Sequence, residues 1–422
     1  MNDLRPLPKP PRPANRPAFL PRVEALRGFA ALAVAWLHSS VIISLADGHP
    51  LTGMPRLVLW GIKLSVWATN GRAAVLVFFV ISGLVLGLMI DAAASRVMWR
   101  DYSAFLVRRA FRIYPAHWAA LLLFVPVAVL TLFQVPVADP AFLARISPDP
   151  RWWFDGTIYG HFNRWEFART VILYDQMYNS VTWSLRVEMQ ACFFIPFLVW
   201  LTRRRSIALD GAVLAALIGI AALVDTSARP DAVFIYLPAF HLGAIAGTQG
   251  PRIAAALGRR RYATATGLIV CFLVAVLPGA LARSFDGFWM TLDMTFGAFG
   301  LVVLIAWAKL GRLDGLFLNP VSRWIGRLSY SFYLWHWLVL TIAMRALLIL
   351  VPGPVIVGPF NQILFFAMAG SSILVTLGIA ALSFRFVERP FMILGRSAAD
   401  RIAAGRRSAA ELPLAAEAAT AP

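Results

Sequence analysis

The stretch RVEALRGFAALAVAWLHSS, residues 22–40, decides the fold class. From Phe29 onward it is apolar except for His38 and two serines, which predicts a helix surrounded by lipid. Arg27 and His38 are eleven residues apart, so they lie within about 20° of the same helical face and roughly 16 Å apart along the axis. An ionisable group deep in a bilayer is costly, which predicts a functional role for His38. The alternative is a packing histidine bonded to a backbone carbonyl.

The composition is that of a membrane protein. The chain has 422 residues, of which 59% are hydrophobic and 14% charged, and its mean hydropathy is +0.71. This predicts an all-α polytopic fold. The net charge of +18 comes from clusters between apolar runs, a pattern typical of membrane orientation, so we exclude nucleic acid as a partner. The two cysteines, Cys192 and Cys271, form neither a metal-ligand spacing nor a disulfide framework.

About ten transmembrane helices are predicted from the apolar runs, each near the twenty residues that a bilayer requires. Their expected limits are 24–46, 73–91, 113–134, 182–201, 207–224, 232–248, 262–281, 288–308, 328–350 and 361–384. The excess of Lys and Arg on the N-terminal side places both termini in the cytoplasm. Residues 56–70 are apolar but short and contain Lys63, which favours an interfacial or re-entrant piece over an eleventh span.

Three regions follow from this pattern. Residues 1–22 are predicted to be a disordered, basic and proline-rich N-terminus, residues 23–391 the transmembrane domain, and residues 392–422 a disordered cytoplasmic tail. The outer loop 135–181 is rich in aromatic residues, which indicates either an interfacial belt or a surface for an acceptor. These residues are Trp152, Trp153, Tyr159, Trp165, Tyr174 and Tyr178.

Two motifs lie in the second predicted span and at the cytoplasmic start of the third. Gly83 and Gly87 form a small-xxx-small face that allows another helix to approach closely. Ser82 beside them either supports the site or bonds back to its own helix. Arg109 and Arg112 share a helical face and form a fork suited to phosphates, whereas orientation alone explains Arg108.

Further polar groups occur deeper in the spans. Ser184 and Glu188 share a face of the fourth span, and Glu188 is expected at a depth similar to that of His38, where it could orient or charge the imidazole. His336 is expected about 12 Å in from the cytoplasmic end of the ninth span. Glu388 with Arg389 is interpreted as a surface ion pair. Two other residues predicted to be buried, Asp293 and His241, are interpreted as structural.

Six motifs in this order resemble the membrane-bound acyltransferase family 3 over nearly the whole chain. They are Arg27 with His38, Phe78-Phe-Val-Ile-Ser-Gly83, Arg109-x-x-Arg112 with Ile113-Tyr-Pro115, Trp183-Ser-Leu-x-x-Glu188, Ser329-Tyr-Ser-Phe-Tyr-Leu-Trp-His336 and Glu388-Arg-Pro-Phe391.

The resemblance implies a multi-pass O-acyltransferase of the bacterial inner membrane. The expected reaction moves an acyl group, with acetyl expected, from cytoplasmic acyl-CoA to a hydroxyl of an extracytoplasmic glycan, a lipid-linked saccharide or a small hydrophobic acceptor. Acyl-CoA would be a co-substrate, with no permanently bound cofactor and no metal. Many members carry a further C-terminal esterase-like domain, which we expect this sequence to lack.

The hypothesis assigns roles to ten residues. His38 is the general base, Glu188 orients it, and Arg27 holds the donor or stabilises charge on the carbonyl oxygen. The donor-binding residues are Arg109, Arg112, Tyr114 and His336, where His336 could instead act in a relay; the supporting residues are Ser82, Trp183 and Ser184. The competing function is a proton-coupled transporter or flippase for a glycan or lipid, against which we find no duplicated pair of interrupted spans. A membrane scaffold without catalysis would leave His38 and Glu188 unexplained.

Overall fold

The computed structural model describes residues 20–44, 55–92, 102–141, 162–202, 206–224, 232–258, 262–281, 287–356 and 361–402. Within these ranges every regular element is helical, as the composition predicts. Residues 1–19 of the predicted N-terminal region and residues 403–422 of the predicted tail lie outside the described residues.

The helices are labelled in chain order. They are α1 (Pro21–Ser44), α2 (Arg56–Thr69), α3 (Gly71–Ala92), α4 (Tyr102–Phe124), α5 (Arg164–Val171), α6 (Trp183–Ala191), α7 (Ile195–Thr202), α8 (Ile207–Ala222), α9 (Val233–Thr248), α10 (Gly250–Leu257), α11 (Ala263–Leu281), α12 (Phe288–Trp307), α13 (Asp314–Leu318), α14 (Pro320–Leu350), α15 (Gly353–Ile356), α16 (Asn361–Ser383) and α17 (389–402). A π-helical turn follows α4 at Val125–Val129, and another joins α16 to α17 at Phe384–Glu388. Short 3₁₀ turns lie at Leu132–Gln134, Ser180–Thr182 and Gly311–Leu313.

Several helical stretches in the described part of the chain suit a bilayer. Five are long and apolar enough to cross it: Arg56–Leu88, Tyr102–Gln134, Phe288–Trp307, Pro320–Leu350 and Phe366–Ile402. A bent pair, Ser180–Ala191 with Ile195–Leu201, would make a sixth. Three shorter apolar helices are Ile207–Ala222, Val233–Thr248 and Ala263–Pro278. The protein is therefore an all-α membrane protein, while the count of ten spans and the cytoplasmic position of both termini stay predictions.

Some boundaries differ from those predicted because helices continue past the apolar runs. Helix α4 begins at Tyr102, eleven residues before the predicted span, so its three arginines lie on the helix. Helix α14 begins at Pro320, where the Asn319 side chain accepts a hydrogen bond from the Ser322 backbone N–H at 2.8 Å. The predicted spans stopped where charged residues interrupt the apolar pattern. The backbone hydrogen bonds of a helix do not depend on hydrophobic side chains, so the helices continue through these charged residues. At the other end of the chain, α17 continues to residue 402, into the segment predicted as tail.

The predicted fourth span is broken. Helices α6 and α7 meet at a turn over residues 192–194 with a bend of 54°. One interrupted span is therefore present among the described residues, whereas the sequence predicted a continuous helix over 182–201.

Helix α3 is central: it packs along α9 and also contacts α1 and α12. The predicted close approach at Gly83 is confirmed, because the Gly83 Cα faces the backbone of Phe240 on α9. Gly243 of α9 faces the Val80 carbonyl of α3 in return. A second close pair joins α1 to α14, where a Cβ on Gly28 would lie 2.8 Å from the Gly326 nitrogen. These contacts hold α3 against α9 and α1 against α14.

The substitution Gly83→Ala should destabilise the protein by about 1–3 kcal/mol, because the new methyl group would overlap the Phe240 carbonyl. Thermal unfolding of the purified protein in detergent measures the effect. Gly370→Ala on α16 is the matched control, since a Cβ there meets nothing within 4 Å. Equal melting temperatures for the two variants would contradict the close packing of α3 on α9.

Candidate active site

A small polar cavity of about 70 Å³ lies where α1, α3, α4, α6 and α14 converge. Its polar lining residues are Arg27, Ser82, Arg109, Arg112, Ser184, Glu188, Ser329, Tyr330 and Tyr333. All nine belong to the motifs quoted from the sequence, and six of them are predicted site residues, so the fold brings those motifs together. The apolar wall comes mainly from α3, including Phe78 and Phe79.

Glu188 is held by α3 and α4. Ser82 Oγ donates to Glu188 Oε1 at 2.9 Å, Arg109 Nη2 donates to Ser82 Oγ at 2.9 Å, and Arg109 forms an ion pair with Glu188. A carboxylate inside apolar surroundings needs a charged partner, and Arg109 provides it. Glu188 thus contacts Ser82 and Arg109 rather than His38, so its predicted orientation of His38 gains no support from these contacts, and Arg109 is not a free phosphate fork.

A second carboxylate faces the other arginines. Glu388 is only 3% exposed, accepts a hydrogen bond from Ser331 Oγ at 2.8 Å, and interacts electrostatically with Arg27 and Arg112. The interpretation of Glu388 as a surface ion pair with Arg389 is wrong, because Arg389 is exposed while Glu388 points inward from the π-helical turn. The three guanidiniums of the cavity thus interact with the carboxylates of Glu188 and Glu388, and Arg27 also interacts with Glu24.

His38 pairs with His336. His38 Nδ1 lies 2.8 Å from His336 Nε2, and the two ring planes are nearly parallel, at 3°. Trp337 packs edge-on against His38 with ring centroids 4.9 Å apart. The predicted donor-site role of His336 receives no support from its position, because its contacts are with His38 and with its own helix rather than with Arg109 or Arg112.

The hydrogen bonds of His336 define the protonation of the pair. His336 Nδ1 is 2.6 Å from the Tyr333 carbonyl oxygen, which can only accept, so Nδ1 carries the hydrogen. His336 Nε2 is then the acceptor and His38 Nδ1 the donor. In this neutral state His38 Nε2 keeps its lone pair. A lone pair on a held imidazole is what a general base requires.

Tyr333 connects the histidine pair to the cavity. Its side chain lines the cavity, its hydroxyl lies 2.8 Å from Ser184 Oγ, and its carbonyl accepts from His336 one turn further along α14. Tyr330, one turn earlier, donates from its hydroxyl to the Ile113 carbonyl at 2.7 Å. Sequence reasoning gave neither tyrosine a role. The signal was present, since Tyr330, Tyr333 and His336 recur at the i, i+3 spacing of one helical face.

The other predicted residues lie elsewhere. Tyr114 does not line the cavity: its hydroxyl is 3.5 Å from the Ile172 carbonyl and its ring contacts Trp118. Trp183 packs against Phe79 and Tyr236 behind the cavity, as a support would.

His241 and Asp293 differ from each other. His241 is fully buried and its Nε2 donates to the Asp210 backbone oxygen at 3.2 Å, which is consistent with a structural role. Asp293 is exposed on α12, so the prediction that it is buried is wrong. Within the described residues no group of three or more His, Cys, Asp or Glu side chains could hold a metal.

The aromatic residues of the outer loop 135–181 are consistent with both predicted roles, an interfacial belt and an acceptor surface. Tyr178 is buried and accepts a hydrogen bond from the Asn163 N–H at 2.9 Å, whereas Trp165 and Tyr174 are exposed. Residues 142–161, with Trp152, Trp153 and Tyr159, lie outside the described residues.

Comparison with known proteins identifies the family to which this protein belongs. The sequence profile described as an acyltransferase domain matches residues 20–384. The peptidoglycan O-acetyltransferase OatA of Listeria monocytogenes is 24% identical over 399 residues, which are 88% of this chain and 56% of that protein. YrhL of Bacillus subtilis is 25% identical over 416 residues, 91% of this chain and 57% of YrhL.

A third relative is similar over most of its own length. The exopolysaccharide production protein ExoZ of Rhizobium meliloti is 27% identical over 348 residues, 80% of this chain and 94% of ExoZ. The chain thus spans little more than half the length of OatA and YrhL. No solved structure is significantly similar to it. Because the profile match covers most of the chain, this protein belongs to the membrane-bound acyltransferase family 3.

Proposed function

We propose that this protein is a membrane O-acyltransferase that moves an acyl group, with acetyl expected, from acyl-CoA to a hydroxyl of an extracytoplasmic glycan. The observation that carries the proposal is the His38–His336 pair, joined through Tyr333 to a cavity lined by three arginines. Family membership and the names of two relatives, an O-acetyltransferase and an exopolysaccharide production protein, support the reaction class and the glycan acceptor.

The chemistry assigned to His38 is proton transfer at Nε2. As the acceptor oxygen forms a bond with the thioester carbonyl carbon, its proton passes to Nε2. When the carbon–sulfur bond breaks, the same proton passes to the departing thiolate. His336 is a positioning residue: its Nε2 accepts the Nδ1 hydrogen of His38 and stabilises the imidazolium that forms.

The two roles left open for Arg27 can be separated by distance. Eleven residues of helix put Arg27 roughly 16 Å from His38 along α1, too far for its guanidinium to contact a carbonyl oxygen beside His38. Arg27 lies instead near Glu388 and beside Arg109 and Arg112, with which it forms what we call the arginine cluster. This separation suits a donor whose phosphates and thioester are joined by a long arm, as in acyl-CoA. We therefore assign Arg27 to the donor rather than to the oxyanion.

The direction of transfer follows from the predicted topology. The arginine cluster lies towards the end of the bundle where α1 and α4 begin, which the distribution of Lys and Arg assigns to the cytoplasm. His38 lies further along α1, towards the outer face. Donor and acceptor would then approach the histidine pair from opposite sides, in the inner membrane of a bacterium.

Transport of a glycan or lipid is the alternative. The bend between α6 and α7 is a feature that some transporters use. A single interrupted span without a counterpart among the described helices does not outweigh membership of an acyltransferase family.

His336→Ala should lower kcat by an amount on the order of 10²-fold through misplacement of His38, with little change in KM for the donor. His336→Gln should restore part of the rate, because a carboxamide oxygen can accept the His38 Nδ1 hydrogen. Steady-state kinetics of the purified variants separate the two parameters. An increase in KM for the donor with kcat unchanged would instead support the role of His336 in donor binding that the sequence predicted.

The function is tested by mass spectrometry of cell-envelope glycans from a deletion strain and its parent. The expected result is loss of one acyl group per modified unit in the deletion strain, restored by the wild-type gene and not by His38→Ala. Identical glycans in both strains would contradict a glycan acceptor.

A further inference from the structure

A second cavity of about 150 Å³ lies beside the first, between α4 and α17. Its lining residues are Leu86, Phe105, Arg108, Arg109, Arg112, Met392 and Arg396. Four of these seven are arginines and none is acidic. Arg109 and Arg112 line both cavities, so they form the wall between them.

The charge in this cavity is unbalanced. Arg109 is paired with Glu188, which lines the first cavity, and Arg112 interacts with Glu388, which lines neither cavity. Neither Arg108 nor Arg396 forms an ion pair in the part of the chain that the structure describes. The Nε atoms of Arg108 and Arg109 are buried without a hydrogen-bond partner. Like charges that converge on one space repel each other unless an anion lies between them.

Membrane orientation alone does not account for this convergence. Positive-inside charge requires only that arginines lie on one side of the bilayer, as exposed Arg385 and Arg389 illustrate. Arg108 and Arg396 come from helices far apart in sequence and line the same small space. The interpretation of Arg108 from sequence, as an orientation charge, is therefore incomplete.

We propose that this cavity binds a phosphate group of the acyl donor through Arg108 and Arg396, with Arg112 shared between the two cavities. The inference rests on the proposed function and extends it to two residues outside the predicted site. Guanidiniums bind phosphate oxygens through charge-assisted, often bidentate hydrogen bonds. The donor would place phosphate against α17, and its arm would pass Arg112 towards the first cavity and His38.

The phosphate ester of an anionic lipid presents the same chemistry, because basic pockets between helices also bind lipid head groups. The two sources differ in a testable way. Coenzyme A carries phosphates on a soluble nucleotide, so its binding can be compared with that of pantetheine, which carries none.

The test is equilibrium binding of coenzyme A, dephospho-coenzyme A and pantetheine to the purified full-length protein in detergent, without added lipid. Arg396→Gln and Arg108→Gln should each weaken coenzyme A binding roughly ten-fold or more and leave pantetheine binding unchanged. A smaller effect on dephospho-coenzyme A than on coenzyme A would identify the extra phosphate as the bound group. Arg385→Gln is the matched control, since Arg385 is an exposed arginine of the preceding π-helical turn and lines neither cavity.

Unchanged coenzyme A binding in both variants would overturn the inference, as would an equal loss for all three compounds. If both variants bind coenzyme A normally but lose binding to phosphatidylglycerol nanodiscs, the cavity is a lipid site and the inference fails.

Turnover distinguishes failure of this inference from failure of the proposed function. If the wild-type protein transfers acyl groups and Arg396→Gln does not change coenzyme A binding, only the proposed phosphate site in the second cavity is refuted. If the wild-type protein binds coenzyme A but transfers no acyl group, the proposed acyltransferase function is refuted. The binding data for the variants still show whether the second cavity binds phosphate.

Discussion

His38→Ala is expected to reduce acyl transfer by about 10²–10⁴-fold, the range that a general base contributes, while donor binding stays within two-fold. The reason is positional: the imidazole pairs with His336 and lies roughly 16 Å along α1 from the arginine cluster that we assign to the donor. Turnover and coenzyme A binding, measured on the same purified preparation, separate the two effects.

The matched control for this variant is Ser39→Ala, one residue further along α1. Ser39 Oγ donates to the Ala35 carbonyl within the helix, a bond that contributes little to function. Near-normal turnover in His38→Ala would make His38 a packing histidine, and the histidine pair would lose its assigned role.

The sequence predicted the helices and the faces that carry polar groups better than the contacts between them. Gly83 was found because small residues at a spacing of four allow close approach whatever the partner is. Arg27 and His38 were placed on one face by helical geometry alone. The partner of Glu188 was missed because depth in the bilayer does not say which neighbour a side chain points to. In the fold, α4 brings Arg109 to Glu188 and α14 brings His336 to His38.

Glu388 was misinterpreted for a related reason. It follows the last apolar run in a charged stretch, which is typical of a solvated helix end. The π-helical turn Phe384–Glu388 and the continuation to residue 402 instead place it in the interior, beside Ser331. Neither a π-helical turn nor the packing of that turn against α4 can be read from local composition.

Glu188→Ala should destabilise the protein by about 1–3 kcal/mol, the cost of leaving a partly buried charged group without its partner, and should also abolish transfer. Arg109 would lose its charged partner and Ser82 its acceptor. Glu188→Gln should recover part of the stability, because a carboxamide oxygen still accepts from Ser82. Thermal unfolding in detergent measures each variant.

A double-mutant cycle identifies the partner of Glu188. Substitution of Glu188 and Arg109 together should cost less than the two single losses added, because neither charge is then left alone. Glu188 and His38, which do not contact each other in this structure, should give additive losses. Coupling to His38 and none to Arg109 would support the partner predicted from sequence and contradict the one in the structure.

The most direct test of the proposed function is acyl transfer by the purified protein in detergent, with labelled acetyl-CoA and a glycan extract as acceptor. The protein should transfer label to the glycan without a membrane potential or a second compartment, and His38→Ala should bind coenzyme A yet transfer label about 10²–10⁴-fold more slowly. A transporter has no reaction to perform under these conditions. If the wild-type protein neither binds acetyl-CoA nor transfers label to any envelope extract, the enzyme hypothesis is contradicted and transport becomes the better explanation.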